Sequence, residues 1–453
     1  MSSKISLCVL FVFGFTLPRL NAQEPQQVTI GITPLENIIL AVADVQPATA
    51  EKPVELSNAL KTFNQVLWDD LSFSGFFTLA GKSFYPPQPI VRPDRDLDYD
   101  AWSALPFKVS FLTVGTLNLM DGVLRAELSI VDMKQRQIIP GKRYIGDADQ
   151  IRTIAHWWAD EVVYKLTAGA SRGIASTKIA YVSKRGVAKD AAKEIYVMDY
   201  DGYDQRAFTH NGALNLFPNW APDNSKLAFV SYRTGPPEIN IYSYINGSRL
   251  PFPLFNTYAS TPAISPDGTE VVFSLRTPRG DADLFISKLD GSGRHNITNN
   301  PAVDSSPTWS PSGRQIAFTS DRQGGTNQVF ICDADGSNIR RVVKEGGDAD
   351  APAWSPDGRW LAFHWKPRMS SAYDLFIADV ASGAIRQLTS NSGSNESPSW
   401  APDGRHIVFQ SNRTGSEQIY IILLDGSEPR RLTDQGSNSS PAWGGYFRRE
   451  GGN

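Results

Sequence analysis

Cysteine is almost missing from this chain of 453 residues: Cys8 and Cys332 are its only two. Cys8 lies inside an apolar run near the start, so a chain without that run keeps one thiol. No internal disulfide then staples the fold, and no C-x-x-C redox pair exists. Histidine is scarce as well. His156, His210, His295, His364 and His406 show no metal-ligand spacing such as H-E-x-x-H, so no metal is expected. There is no excess of positive charge. The formal balance is −3 and no basic stripe stands out, which argues against a nucleic-acid binder. No apolar run reaches the length of a membrane-spanning helix. Neither a P-loop nor a G-x-G-x-x-G fingerprint occurs in a strand–helix setting, and no cofactor is expected.

The N-terminus has a positive signal of its own. Lys4, the apolar run Ile5 to Leu17 and then Leu20-Asn21-Ala22 read as a secretory leader cut near Ala22. Export is the expectation, with residues 1–22 as the leader. Cys8 follows bulky Leu7 inside the run, which does not suit a lipid-anchor site.

The dominant feature is a repeat. A Pro-x-Trp-Ser-Pro-Asp-Gly-like turn begins at Pro218, Pro262, Pro307, Pro352 and Pro398, in steps of 44, 45, 45 and 46 residues. Such a period marks an array of one supersecondary unit. An apolar strand follows each turn: Leu227-Ala228-Phe229, Val271-Val272-Phe273, Ile316-Ala317-Phe318, Leu361-Ala362-Phe363 and Ile407-Val408-Phe409. A further strand follows, and then a tight-turn pair such as Asn246-Gly247, Asp290-Gly291, Asp335-Gly336 or Asp425-Gly426. Four short antiparallel strands per unit make a propeller blade. A sixth unit around Ile179-Ala180-Tyr181 lacks its opening strand, and that strand appears at the far end as Pro441-Ala442-Trp443. The expected fold is therefore a six-bladed β-propeller over residues 171–447, closed by its C-terminal strand, with a tail over 448–453. The repeated Trp220, Trp309, Trp354, Trp400 and Trp443 are expected to pack blade on blade, and Asp223, Asp267, Asp357 and Asp403 to form turns.

Residues 23–170 have another rhythm and read as an α/β domain. Val28 to Ile32, Ile38 to Val42 and Phe76 to Leu79 suggest strands, and Tyr85 to Asp98 a loop. Glu55 to Leu71 and Asp149 to Leu166 have helical spacing, and Val109 to Leu117 with Leu124 to Asp132 flank an Asp121-Gly122 hairpin signal. Gly169-Ala170-Ser171-Arg172-Gly173 matches the nucleophile elbow of α/β-hydrolases. That elbow needs a strand before it and a helix after, and here the order is reversed.

This plan, an exported α/β domain followed by such a propeller, resembles the TolB family of the Tol-Pal cell-envelope system. Asp70-Leu71-Ser72-Phe73-Ser74-Gly75-Phe76-Phe77 is similar to the family's D-L-x-x-S-G-x-F, and Ala101-Trp102-Ser103-Ala104-Leu105 to its A-W-S-A-L segment. Asp160-Glu161-Val162 with Lys165-Leu166-Thr167, and Asp199-Tyr200-Asp201-Gly202-Tyr203, resemble its joining helix and first-blade turn. The resemblance implies a non-enzymatic periplasmic scaffold. Its propeller binds Pal, the peptidoglycan-associated lipoprotein, and it supports outer-membrane integrity and envelope constriction at division. It also implies a TolA contact for the mature N-terminus, here Gln23 to Pro34 with Gln23, Glu24, Val28, Ile30 and Ile32. This stretch is more polar at first and less acidic than the family's better-known peptides.

Alternating strands gather the tight turns on one face of a propeller and the irregular loops on the other, and irregular loops on a rigid scaffold are the natural binding surface. By alignment with the family, Tyr258, Thr261 and Ser305 are the expected Pal contacts, with Tyr258 as the aromatic anchor. Asp304, Asp350 and Glu396 precede the blade prolines and are expected to converge near the axis as further contacts. An exported propeller enzyme and a sensor that binds a small ligand in the channel are the alternative readings.

Overall fold

The computed structural model describes residues 38–447 except 50–52, 187–191, 254, 256 and 369. The expected leader, the mature N-terminal segment with Gln23, Glu24, Val28, Ile30 and Ile32, and the 448–453 tail lie outside the described residues.

The first region is built around a sheet with the order β3-β1-β4-β5-β6. β1 (Ile39–Val42) runs parallel to β3 (Thr78–Leu79) and β4 (Phe111–Met120), and the short β2 (Gln46–Pro47) also pairs with β4. β4, β5 (Val123–Asp132) and β6 (Gln137–Asp147) form an antiparallel meander. Alternation along the strands separates two cores. Leu40, Val42 and Leu117 face helices α1 (Val54–Phe73) and α4 (Ile151–Leu166). Ala41, Leu112 and Val114 face the segment that carries α2 (Pro93–Asp96) and α3 (Tyr99–Ser103), where Trp102 seals the outer side. Trp158 of α4, fully buried, donates its indole N–H to Thr113 Oγ1 at 2.9 Å.

Asp121-Gly122 makes the expected hairpin, with φ of 51° and 78°. Two elements differ from the sequence expectation. The Phe76 to Leu79 strand shortens to Thr78–Leu79, and the Tyr85 to Asp98 loop contains the single turn α2. β6 is an addition. It carries Pro140 and Gly141, which normally argue against a strand. They sit where the register with β5 shifts between Leu128 and Ile130, and a Cβ on Gly141 would fall 1.7 Å from Leu128 O.

Six four-stranded antiparallel sheets follow. Blade 1 combines Ser437–Trp443, Lys178–Lys184, Lys193–Asp199 and Arg206–Ala207. Blades 2 to 6 begin at Asn215, Ala259, Asp304, Gly347 and Asn395. The C-terminal strand pairs with the first propeller strand, Ala442 opposite Ala180 and Trp443 opposite Ile179, so the ring closes as expected. Phe229, Phe273, Phe318, Phe363 and Phe409 are at most 1% exposed. Each such side chain contributes about 1.5–3 kcal/mol through burial.

The repeated tryptophans stitch adjacent blades. Trp220 Nε1 donates to Ala442 O at 3.2 Å across the closure, Trp309 to Ala263 O at 3.1 Å and Trp400 to Ala353 O at 3.0 Å. Trp443 donates to Thr177 Oγ1 at 2.9 Å, while Trp354 Nε1 is buried without a partner. The repeated aspartates shape turns. Asp223, Asp267, Asp357 and Asp403 each accept the N–H two residues on, at 2.9–3.0 Å.

Candidate functional site

The two faces of the propeller have different neighbours. On the tight-turn face, blades 1 and 6 carry the α/β region. Arg405 and His406 of blade 6 donate to the backbone carbonyls of Gly75 and Phe73, the latter at 2.9 Å. His406 is held by Asp403 at 2.7 Å. Tyr200 of blade 1 donates its phenol O–H to Asp70 Oδ1 at 2.7 Å, and Arg152 pairs with Asp201. One hydrophobic core runs from Leu56, Phe63 and Trp158 to Tyr181, Val408 and Trp443, through the boundary expected near residue 170. Segments far apart in the sequence, Asp70 to Phe77, the Asp160 helix and Asp199 to Tyr203, meet at this junction.

At its centre is His156, 4% exposed, whose Nδ1 lies 2.7 Å from Asp70 Oδ2. Burial disfavours the charged ring, but Asp70 and then Asp201 and Asp199 outweigh it and hold the pKa above its ordinary value. His156, Asp199 and Asp201 bring ligand atoms within 4.8 Å of one another, the one such group among the described residues. Arg152 already holds Asp201, and Lys178 holds Asp199 at 2.5 Å, so a divalent ion would meet two cations there. Instead the His156 ring, with its pKa raised, faces Asp70. Nearby, Asp160 anchors the connection between the regions by accepting from the N–H groups of Ala175 and Ser176, at 2.8 and 3.0 Å. Burial pushes its carboxyl up to about 6 against those donors.

The loop face has another geometry. In every blade the innermost strand shifts register just before its proline. Phe217, Thr261, Ser306, Ala351, Ser397 and Ser440 occupy those positions, all with φ between 46° and 54°. Left-handed backbone costs a residue with a side chain about 1–2 kcal/mol. Six such residues line one axial pocket of about 200 Å³ with their prolines. Five of them were not singled out from the sequence. The signal is the residue preceding each repeated proline, whose varied identity (Phe, Thr, Ser or Ala) hides the shared backbone.

Tyr258 is 51% exposed at the rim, with the Arg276 guanidinium 5.5 Å from its ring centroid. Thr261 lines the axial pocket, and its Oγ1 accepts the Ser306 N–H at 3.3 Å. Ser305 is half-buried beside that ring, opposite Thr319. The three acids do not form one set. Asp304 is fully buried and holds Arg322 through two 2.9 Å contacts, with Asn300 donating at 2.7 Å. Its carboxylate braces the blade. Asp350 accepts from Thr319 Oγ1 at 2.6 Å and lies opposite His364 in the blade 5 register. Glu396 is half-buried, and the next residue, Ser397, donates its N–H to His364 Nδ1 at 3.2 Å. Burial lowers the His364 pKa, although Asp350, Glu396 and Asp348 pull the other way. Tyr373 stands edge-on to this ring at 4.9 Å and donates to Asp348 at 2.8 Å.

Two groups with catalytic associations are inert. Burial pushes the Cys332 thiol up to about 12. Ser171 is buried in the turn after α4, where its hydroxyl accepts the Gly173 N–H at 3.2 Å. Among the described residues no helix is long and apolar enough to cross a membrane.

Comparison with known proteins adds to this geometry. The family described as TolB beta propeller domain matches residues 164–350 and 340–446. Curated relatives named Tol-Pal system protein TolB, from Desulfosudis oleivorans and Bordetella parapertussis, are 31% identical over 244 and 242 residues. These matches cover 52% and 53% of this chain, and the chain spans about half (52%) of the length of each relative. The crystal structure of TolB from Acinetobacter baumannii aligns over 91% of this chain and 98% of that one, with a TM-score of 0.76 at 24% identity. That likeness carries the fold.

Proposed function

The chain belongs to the TolB β-propeller family, and from that premise we propose that it is a non-enzymatic periplasmic component of the Tol-Pal system, exported with a leader cut near Ala22. Its loop face binds Pal, and its mature N-terminus, with Gln23, Glu24, Val28, Ile30 and Ile32, contacts TolA. The observation that carries this reading is the asymmetry of the propeller. The α/β region docks on the tight-turn face at blades 1 and 6, and the loop face presents a rigid axial ring beside half-exposed Tyr258. Left-handed residues held between blades are pre-organised, so a partner need not order them. Tyr258 is the aromatic anchor, Thr261 and Ser305 present hydroxyls beside it, and Asp350 and Glu396 add charge around His364. Asp304 supports this rim by holding Arg322.

Calorimetric titration of residues 23–453 with the soluble domain of Pal from the same cell tests the reading. Saturable binding is expected, at least tenfold weaker after Tyr258→Ala, Thr261→Ala and Ser305→Ala together. Absence of binding would overturn the function, and full affinity in the triple variant would overturn the contact assignment. Deleting residues 23–34 should abolish TolA binding and leave the propeller's melting temperature unchanged.

A further inference from the structure

A second feature of the loop face lies off the axis, between blades 4 and 5. A cleft of about 490 Å³ is lined by Arg341, Lys344, Lys366 and Arg368, with Asp348 and Gln328 among the other walls. The size suits a ligand site. Among the described residues, no carboxylate forms an ion pair with these four cations. Arg341 donates to Gln328 Oε1 at 2.7 Å and to the backbone carbonyl of Glu345 at 2.8 Å, both neutral acceptors. Lys366 Nζ stands 4.8 Å from the Tyr373 ring centroid.

Two glycines keep the floor open. A Cβ on Gly346 would fall 2.3 Å from Arg368 Nε, and one on Gly347 would fall 2.5 Å from Trp365 Nε1. Gly347 also has φ of 139°, which a residue with a side chain rarely adopts. Trp365 is 9% exposed, and its indole N–H, which can only donate, has no partner. Arg341 Nε, a donor, and Asp348 Oδ1, an acceptor, are likewise buried without partners. Unpaired buried polar atoms are costly, about 1–3 kcal/mol each. Three of them lie at or directly beneath one cleft, so its walls are not fully paired as they stand.

We infer that this cleft binds an acidic peptide segment of a partner protein. Glutamate or aspartate side chains meet the four cations, for which the exposed Arg368 guanidinium fork is well shaped. A phosphate or an oligonucleotide has the charge for the cations but brings further negative oxygens against Asp348. The cleft is separate from the axial ring, so this inference stands whether or not that ring binds Pal.

The test is fluorescence anisotropy of the whole mature chain with a labelled ten-residue Glu-Gly peptide, against a Gln-Gly peptide of equal length. Saturable binding of the acidic peptide alone is expected, weakened several-fold between 50 and 300 mM NaCl, roughly one Debye-length regime to another. Lys344→Gln, Lys366→Gln and Arg368→Gln together should weaken it at least tenfold. Gly347→Ala, which leaves the charge unchanged, should also weaken it if a shaped cleft is responsible. Circular dichroism and thermal melting check that variant's fold, and the exposed-charge variant serves if it fails. Equal binding of both peptides, unchanged affinity in the triple glutamine variant, or preferred binding of inorganic phosphate or oligo-dT would overturn the inference.

Discussion

Replacing Asp70 by asparagine keeps its shape and removes one charge from the junction between the α/β region and the propeller. Asp70 is 5% exposed, and its two oxygens serve different partners, His156 Nδ1 and the Tyr200 phenol, each at 2.7 Å. An asparagine side chain has a single oxygen there and cannot serve both donors in the same way. Hydrogen bonds to a charged group are each worth about 1.5–3 kcal/mol, and breaking a buried ion pair costs about 3–5 kcal/mol. With the amide retained as a partial replacement, the expected loss at pH 5.5 is about 3 kcal/mol. The loss depends on pH. Burial works against the charged His156 ring, but Asp70, with Asp201 and Asp199 adding to it, raises the folded-state pKa above the ordinary 6.5. The stabilisation from charging the ring is therefore fully present below pH 6.5 and lost as pH rises through the raised folded value. As pH rises and the ring loses its proton, the charge–charge part of the loss should fade, leaving the hydrogen bonds that the Asp70 carboxylate accepts. Lys178, paired with Asp199, has its pKa raised and keeps its charge throughout this range, so it does not alter the sign. Equilibrium urea unfolding of both proteins at pH 5.5 and 9 measures the difference. Equal losses at the two pH values, or a loss under about 1 kcal/mol at pH 5.5, would refute a charged His156–Asp70 pair.

Three other outcomes are expected in the blades. Trp400→Phe removes the indole bond to Ala353 O and should cost about 1 kcal/mol more than Trp354→Phe, whose indole N–H has no partner; paired thermal melts check the contrast. His364 has the opposite pH sense to His156. Its folded pKa is lowered by burial, so its contribution is present above pH 6.5 and lost as pH falls from there through the lowered folded value, and His364→Gln should flatten that acid limb in a urea–pH series. Truncation after Gly436 removes the strand that pairs with Lys178–Lys184 and exposes the edge of that partner strand, so the product should aggregate or associate, as sedimentation velocity would report.

Much of the propeller was legible because each blade is specified locally. The Asp-Gly and Asn-Gly turns set the hairpins, alternating apolar residues set the faces, and a strand missing at the start and left over at the end implied closure. The α/β region was less legible where a strand violates composition: Pro140 and Gly141 hide β6, and a register shift with Gly141 against Leu128 accommodates them. The site was legible in location more than in role. Asp304 read as an axial acid, yet Arg322, eighteen residues on, claims both its oxygens.

The repeat period, the turn chemistry and the scarcity of cysteine thus determined the architecture from the sequence alone, since they act within one blade or count its copies. Tertiary structure decided what no local pattern encodes. It chose the face on which the α/β region docks, and it brought Asp70, His156, Tyr200 and Asp201 into one buried network. It also turned six residues before prolines into a left-handed ring. Those outcomes depend on contacts between chain segments tens to hundreds of residues apart. Their partners are selected by packing and charge balance at a junction that exists only when both regions are folded.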